Sequence, residues 1–403
     1  MDPTDKGDGQ QQGGAVFEMT ELVEILQQLV QQKSQNPPGE EEAVARRVQA
    51  ILQENAVDSE MVWAQPGRPN IVARLHGQAP GPALIYNGHL DVVPAGPGWS
   101  VDPWGGIIRD GKLYGRGASD MKSGVAAMMY AAIVLKRMGN PFCGELILFF
   151  DVDEEQLNAG VKHFVGSGIQ ADYAVIGEPT ELAVCIGHRG CTRFRLKTLG
   201  TPGHTSVVTR PDNAICKMAK VVDALATLGQ EIRKRVHPVI GPLSLTVSKI
   251  SGGTAVNIVP AACEIEIDRR TAPEESADQV SAEIREVVGQ TAARFGFTYD
   301  LDCYQSVPAT LIESGHPFVQ KLADASRRIR GGPAQVKIFE ATCEAPFFSV
   351  QMGIPTIIFG PGSLAQAHVV DEHVAIEEVE AASQIFLELA LDVLRPQKES
   401  LMP

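Results

Sequence analysis

The sequence lacks any arrangement of cysteines typical of a disulfide framework or of a thiolate metal site. Its seven cysteines are scattered, odd in number and free of Cys-x-x-Cys pairs, so we expect reduced thiols that lie mostly in the core. A long apolar run is missing as well, because the most apolar stretch, 124–135, is far shorter than the roughly 20 residues that span a bilayer. These absences argue against a disulfide-dense scaffold and predict that the chain has no transmembrane helix.

Basic residues are scarcer than acidic ones, 35 against 49, which gives a formal net charge of -14 and an isoelectric point near 5.2. Such a field repels polyanions, so the charge argues against a nucleic-acid partner. Residues 1–14 carry Asp, Gln and Gly where a secretory signal needs a basic and then an apolar run. We therefore expect a cytoplasmic protein in which residues 1–18 form a disordered leader.

Apolar periodicity predicts an α/β domain. Four short apolar runs, bounded by Gly, Pro and polar residues, indicate buried strands at 71–75, 83–86, 146–150 and 174–176. The segment 121–138 has helical length and lies between two of these strands, and amphipathic segments at 20–29 and 44–52 precede them. We therefore expect an α/β sheet with helices on its faces.

A second domain is predicted after residue 190, where apolar and polar residues begin to alternate, as at 192–197 and 243–247. The remaining elements of this region follow as helix 213–228, strand 255–270, helix 275–295 and strand 298–304. That order favours a small α+β sandwich. The α/β pattern returns from residue 317, so we predict that a domain of 191–304 is inserted into a catalytic domain of 19–190 and 305–403.

Chemically active side chains follow several predicted strands at the points where the strands end. Positions two apart in an extended segment face the same way, so Asp91 is expected to hydrogen-bond the ring of His89. A lone His-x-Asp pattern is weak evidence, because it also suits a satisfied histidine in a turn. Asp153-Glu154-Glu155, Glu178 and His368 also follow predicted strands, whereas Asp120 lies at the start of the predicted helix 121–138. Ligands gather at such strand ends, and buried carboxylates need partners.

These segments, taken in order, resemble the co-catalytic metallohydrolases that include acetylornithine deacetylase, succinyl-diaminopimelate desuccinylase, aminoacylase and glutamate carboxypeptidase. The matching motifs are Gly88-His89-Leu90-Asp91, Gly115-Arg116-Gly117-Ala118-Ser119-Asp120-Met121-Lys122, Asp153-Glu154-Glu155, Gly177-Glu178-Pro179 and Ala367-His368. The resemblance covers nearly all of the chain from about residue 19. It implies a zinc-peptidase-like catalytic domain, with a mostly parallel mixed sheet flanked by helices, and a small inserted α+β domain for the lid and dimerisation.

The resemblance also implies a role for each residue of the cluster. One metal ion would be bound by His89 and Glu178, the other by Glu155 and His368, and Asp120 would bridge them. Glu154 would be the general base, with Asp91 as a further catalytic residue. Imidazole and carboxylate ligands favour Zn²⁺, with Co²⁺ or Mn²⁺ as alternatives. Two ions can lower the pKa of a bridging water to roughly 7 for attack on an amide carbonyl.

The predicted second domain carries two further matching motifs. Gly200-Thr201-Pro202-Gly203-His204 resembles the turn of the family's lid, and Asn257 and Arg270 fall on its substrate strand. The resemblance implies that His204 stabilises the oxyanion and that Asn257 and Arg270 hold a substrate carboxylate, for which the arginine fork is suited. The alternative for His204 is an exposed histidine in a turn, and the alternative for Arg270 is a surface salt bridge. A free edge on strands 192–197 and 243–247 favours a homodimer in which His204 completes the partner's site.

The C-terminal motifs look most like the acetylornithine deacetylase branch, which implies that Glu344 and Gly362 contact the substrate. Cys343 and the pair Gln156-Leu157 depart from that branch close to the site, so the acyl group stays open. We therefore expect a deacylase of small N-acyl amino acids. The alternatives are a dipeptidase or carboxypeptidase, a succinyl-diaminopimelate desuccinylase, and a silent binding protein. An intact Glu154 argues against the last, and no Gly-x-Ser-x-Gly elbow supports a nucleophilic hydrolase.

Overall fold

The computed structural model describes residues 19–207 and 212–395, so the predicted leader, 1–18, lies outside the described residues. The helices are α1 (Met19–Val30), α2 (Glu42–Glu54), α3 (Lys122–Arg137), α4 (Ala159–Val165), α5 (Ala214–Arg233), α6 (Ala277–Phe295), α7 (Pro317–Arg330) and α8 (Ile376–Val393), with a π-helical turn at Phe347–Gln351.

The strands are β1 (Ser59–Gln65), β2 (Arg68–His76), β3 (Ala83–His89), β4 (Ile107–Arg109), β5 (Lys112–Tyr114), β6 (Glu145–Asp151), β7 (Tyr173–Ile176), β8 (Val184–His188), β9 (Gly190–Leu199), β10 (Val236–His237), β11 (Gly241–Pro242), β12 (Ser244–Gly252), β13 (Ala262–Thr271), β14 (Tyr299–Val307), β15 (Thr310–Leu311), β16 (Val336–Phe339), β17 (Thr356–Ile358) and β18 (His373–Ala375).

One compact unit comprises the described residues up to Leu182, Lys321–Ala334 and those from Phe359 onward. Its strands lie in the order β1-β2-β6-β3-β7, with β3 parallel to both β6 and β7 and the β1–β2 and β2–β6 pairs antiparallel. The predicted mixed sheet flanked by helices is confirmed. A small sheet of β18, β5 and β4, which the apolar pattern does not predict, also belongs to this unit.

Burial explains why these strands read as unbroken apolar runs. Every residue of β6 after Glu145 is buried, since β6 lies between β2 and β3 and is covered on both faces. Helix α3 is buried from Lys122 to Leu135 and packs against α1, α8 and β3. Because β3, β6 and β7 run parallel, their carboxyl ends meet at one edge of the sheet, where ligands gather in α/β proteins.

The second compact unit comprises Ala183–Gln320 and Gln335–Ile358. Its four-stranded antiparallel sheet has the order β12-β13-β9-β14, and α5 and α6 pack with it around a core that includes Phe194, Ile265 and Ile284. Burial alternates residue by residue along β13, which explains the alternating sequence pattern. The unit also holds β8, which pairs with β15, β16 and β17, and the short β10–β11 pair.

Two details of the second unit differ from the sequence-based expectation. The strand predicted at 255–270 begins only at Ala262, because its partner strand β12 ends at Gly252, opposite Cys263, and Pro260 has no N–H for a ladder. In the sheet formed by the described residues, β12 lies at an edge but β9 lies inside, paired with β13 and β14. Only one of the two strands expected to supply a free edge therefore does so.

Among the described residues, no helix combines the length and the apolar composition needed to cross a membrane.

Candidate metal centre

His89 stands at the end of β3 with its ring almost fully buried. Its Nδ1 lies 2.9 Å from the backbone oxygen of Asp91, which can only accept, so Nδ1 carries the ring proton. In the neutral ring the lone pair is then on Nε2, which lies 3.2 Å from Oδ1 of Asp120 and 4.0 Å from Oε1 of Glu178. This is the tautomer that a metal ligand requires.

Asp91 contacts His89 through its backbone and not, as its spacing predicts, through its carboxylate. The backbone carbonyl of Asp91, not its carboxylate, fixes the ring of His89, and the nearest carboxylate oxygen lies 3.8 Å from Nδ1. The carboxylate instead accepts hydrogen bonds from the backbone N–H groups of Glu154 and Glu155, each at 3.1 Å. Asp91 therefore connects His89 to the turn that carries the predicted base, a link that residue spacing alone does not indicate.

Asp120 lies between two imidazoles. Its Oδ1 faces His89, and its Oδ2 lies 3.4 Å from Nε2 of His368. The same Nε2 lies 3.1 Å from Oε1 of Glu155. The structure thus brings together all five residues predicted as ligands, with Glu178 on the His89 side and Glu155 on the His368 side.

The charges of this cluster depend strongly on one another. Burial would lower the pKa of His89, but the hydrogen bond to Asp120 and the neighbouring carboxylates, Glu154 among them, raise it well above its usual value. Hydrogen bonds to Asp120 and Glu155 raise the pKa of His368 to about 10. Burial opposes ionisation of Asp120, but the two imidazoles hold its pKa below the usual range. Buried carboxylates at this density need positive partners, which the imidazoles supply only when protonated.

The donor set fits divalent metal ions. One ligand atom from each of His89, Asp120 and Glu155 lies within 4.8 Å of the others, and imidazole and carboxylate donors suit catalytic zinc and related ions. The chain of contacts from Glu178 through His89, Asp120 and His368 to Glu155 has two ends, with Asp120 in the middle. This geometry suits two cations that share one carboxylate.

Two residues that support Asp120 were not among the predicted site residues. Glu372 is fully buried, and its Oε1 accepts the backbone N–H groups of Ser119 at 2.9 Å and Asp120 at 3.1 Å. Its Oε2 accepts a 2.5 Å bond from Arg116, whose guanidinium stacks on Trp99. Glu372 and Arg116 thereby fix the backbone from which the central carboxylate projects.

Gly362 packs against Ser119, the residue before Asp120. Its φ is +86°, and a Cβ at this position would lie 2.5 Å from Oγ of Ser119, so a larger residue would meet both strain and a clash. The backbone oxygen of Ser363 accepts from Ser119 Oγ at 3.0 Å. Glycine therefore lets this loop approach the residue next to Asp120, while a contact of Gly362 with substrate stays a prediction.

The other predicted site residues lie in the second unit. His204 is exposed, and the backbone N–H of Ser206 donates to its Nδ1 at 3.3 Å, so a neutral ring carries its proton on Nε2 and can donate from there. Asn257 is exposed, Glu344 is fully buried, and Arg270 donates to Asp268 at 2.8 Å. Their roles toward a substrate stay predictions.

Residues 85–392 match the family described as Peptidase family M20/M25/M40, which covers well over half of the chain.

The chain belongs to this family.

Among its relatives, the chain is 33% identical to succinyl-diaminopimelate desuccinylase of Methylobacterium radiotolerans over 340 residues, covering 81% of this chain and 85% of the relative. It is 32% identical to acetylornithine deacetylase of Vibrio vulnificus, over 84% of this chain and 85% of that protein. Relatives in the M20 family thus hydrolyse small acylated amino acids, and the chain is an M20 family hydrolase.

Solved structures of the family share the fold. The M20 family metallo-carboxypeptidase of Sulfolobus solfataricus is 18% identical with a TM-score of 0.78, over 92% of this chain and 99% of that one. A protein of Bacillus subtilis described as a dinuclear metal-binding peptidase of the M20 family is 18% identical with a TM-score of 0.71, over 93% and 98%. The M20 family therefore includes dinuclear enzymes, and the described residues contain a possible metal site.

Proposed function

We propose that this chain removes the acyl group from a small N-acyl amino acid, as an acetylornithine deacetylase-like amidohydrolase that uses two divalent metal ions, with Zn²⁺ the best match. The single observation that carries the proposal is the position of Asp120 between the imidazoles of His89 and His368, 3.2 and 3.4 Å away. A carboxylate so placed can bridge two ions. His89 and Glu178 would hold one ion, and Glu155 and His368 the other.

The residues of the site divide the reaction between them. The ions, when bound, acidify a water molecule and polarise the scissile carbonyl. Glu154 takes the proton of the attacking water and returns it to the leaving nitrogen, so that one carboxylate acts as base and then as acid. Its backbone is fixed by the carboxylate of Asp91, 3.1 Å from the Glu154 nitrogen. His204 donates from Nε2 to the oxyanion.

The choice of substrate rests on the relatives and on the C-terminal motifs. Acetylornithine deacetylase and succinyl-diaminopimelate desuccinylase both match over more than four fifths of this chain, and Glu344 and Gly362 are the proposed substrate contacts of that branch. A dipeptidase or carboxypeptidase is the second candidate, because peptidases share the fold. The pair Gln156-Leu157, which departs from that branch, directly follows Glu154-Glu155, so acyl groups larger than acetyl should also be tested.

The proposal is tested by metal analysis and a substrate panel. We expect about two divalent ions per chain after incubation with Zn²⁺, Co²⁺ or Mn²⁺, and hydrolysis of N-acetyl, N-succinyl or N-formyl amino acids that exceeds hydrolysis of dipeptides. Removal of the ions with a chelator should abolish turnover, and re-addition should restore it. Only trace binding would refute the metal assignment, whereas faster cleavage of dipeptides would favour the second candidate.

Arg270 provides a test of substrate recognition. Arg270→Ala should raise KM strongly for substrates with a free α-carboxylate and change it little for the corresponding amides, because a charge-assisted hydrogen bond worth roughly 1.5–3 kcal/mol is lost. Steady-state kinetics on matched acid and amide substrates would measure the difference. Arg193→Ala is the matched control, since this arginine on β9 also pairs with Asp268. Equal effects of Arg270→Ala on acid and amide would rule out the carboxylate role.

We further propose that residues 191–304 form an inserted lid and dimerisation domain, and that the protein is a cytoplasmic homodimer. The edge strand β12 supports the dimer, because in the sheet of the described residues it pairs only with β13 and leaves its other side for a second copy. The seven free cysteines support a reducing compartment.

A further inference from the structure

A buried asparagine connects two carboxylates behind the predicted base. Asn36 precedes α2 in the chain and is 2% exposed. Its side-chain nitrogen donates to Oδ2 of Asp91 at 2.8 Å and to Oδ1 of Asp153 at 2.9 Å. The two hydrogens of one amide are thus shared between two acidic side chains that would otherwise repel each other.

Both carboxylates hold the turn that carries Glu154 and Glu155. Asp91 accepts the backbone N–H groups of Glu154 and Glu155. Asp153, which begins the turn in the left-handed region with φ of +72°, accepts from Arg68 at 2.9 Å and from the backbone of Ala159 at 3.2 Å. Asn36 therefore ties the start of the turn to the group that fixes its next two residues.

The positions of His89 and Asp120 do not depend on the side chain of Asn36. The backbone on either side of Asp91 is fixed by bonds from Leu90 to Asp151 and from Val92 to Ser34, at 2.8 and 2.9 Å. The carbonyl that orients His89 is therefore held without the side chain of Asn36. The backbone of Asp120 is held separately, by Glu372.

We propose that Asn36 is a positioning residue which fixes the Glu154-Glu155 turn and so sets the affinity of the half-site formed by Glu155 and His368, but not that of the half-site formed by His89 and Glu178. The inference rests on the two-ion site proposed above. Without the shared amide, Asp91 and Asp153 separate, and the turn loses the position at which Glu155 faces His368, 3.1 Å away. Partners that orient metal ligands commonly set metal affinity by 10- to 100-fold.

The test is a two-site metal titration of the full-length chain with Zn²⁺, by calorimetry and by equilibrium dialysis. In Asn36→Ala we expect the first ion to bind with nearly unchanged affinity and the second to bind roughly 10- to 100-fold more weakly. The lost turnover should return as the Zn²⁺ concentration is raised. Asn70→Ala is the matched control, because Asn70 is equally buried but donates to the backbone oxygen of Gly160 at 2.9 Å.

Asn36→Ser is the second variant, in case the alanine variant does not fold. A hydroxyl has one hydrogen to donate where the amide has two, so the same selective weakening is expected with a smaller magnitude. The inference would be overturned if the Asn36 variants bound both ions equally more weakly, or if they bound both with unchanged affinity. The same selective loss of affinity in Asn70→Ala would also overturn it. If the wild-type chain binds no second ion, the proposed two-ion site is refuted. The titration of the wild-type chain alone gives that result.

Discussion

Glu154→Gln is expected to lower kcat by about 10²- to 10⁴-fold while both metal ions stay bound, because the change removes the proton carrier but none of the ligands. Glutamine has nearly the shape of glutamate, so the half-buried side chain should keep its place. The backbone N–H of Glu154 still reaches Asp91, 3.1 Å away, and the turn itself should not move.

The comparison with the neighbouring residue makes this prediction specific. Glu155→Gln is the same chemical change one position further on, but Glu155 contacts His368 at 3.1 Å, so this variant should lose affinity for one ion. Metal content and kcat are measured for both variants under saturating substrate. A Glu154→Gln protein with near wild-type kcat would show that the base is misassigned, and one that has lost an ion would show that Glu154 is a ligand.

The catalytic sheet could be predicted because its strands leave a strong local signal. The apolar runs at 71–75, 83–86 and 146–150 lie in β2, β3 and β6, which are buried and therefore almost wholly apolar. Each run ends at a polar residue, so the sequence also indicates where the carboxyl edge of the sheet lies. In the structure His89 is the last residue of β3, Glu155 follows β6, and Glu178 follows β7, whose apolar run is 174–176.

The supporting residues could not be predicted, because their contacts join distant parts of the chain. Asn36 contacts Asp153 across 117 positions, and Glu372 contacts the backbone of Asp120 across 252. Such hydrogen bonds leave no periodic pattern or motif in the local sequence. An asparagine before a proline, such as Asn36, is also typical of an ordinary turn. Spacing mispredicts the contact between Asp91 and His89 for a related reason, since two residues on one face of an extended segment can contact through the backbone as well as through side chains.

The location of His204 is compatible with a dimer in which this residue acts in the partner's site. His204 belongs to the second unit, at an exposed turn whose backbone bridges to Ile258. Nδ1 accepts from the backbone N–H of Ser206, so the tautomer in which Nε2 carries the proton is favoured. The described contacts of His204 are therefore local, and Nε2 is the atom that would donate to the proposed oxyanion. The proposed dimer would bring this turn to the metal ions of the partner.

Mixing His204→Ala chains with Glu154→Gln chains, each inactive alone, is expected to restore activity towards half per heterodimer. If His204 acts across the interface, one site of the mixed dimer lacks both groups and the other has both intact. If it acts within its own chain, every site lacks either His204 or Glu154, and no activity returns. Turnover is measured after chain exchange has been verified by mass spectrometry, with mixtures of each variant and its own copy as the control. Exchange without recovered turnover would refute the shared site even if the protein is a dimer.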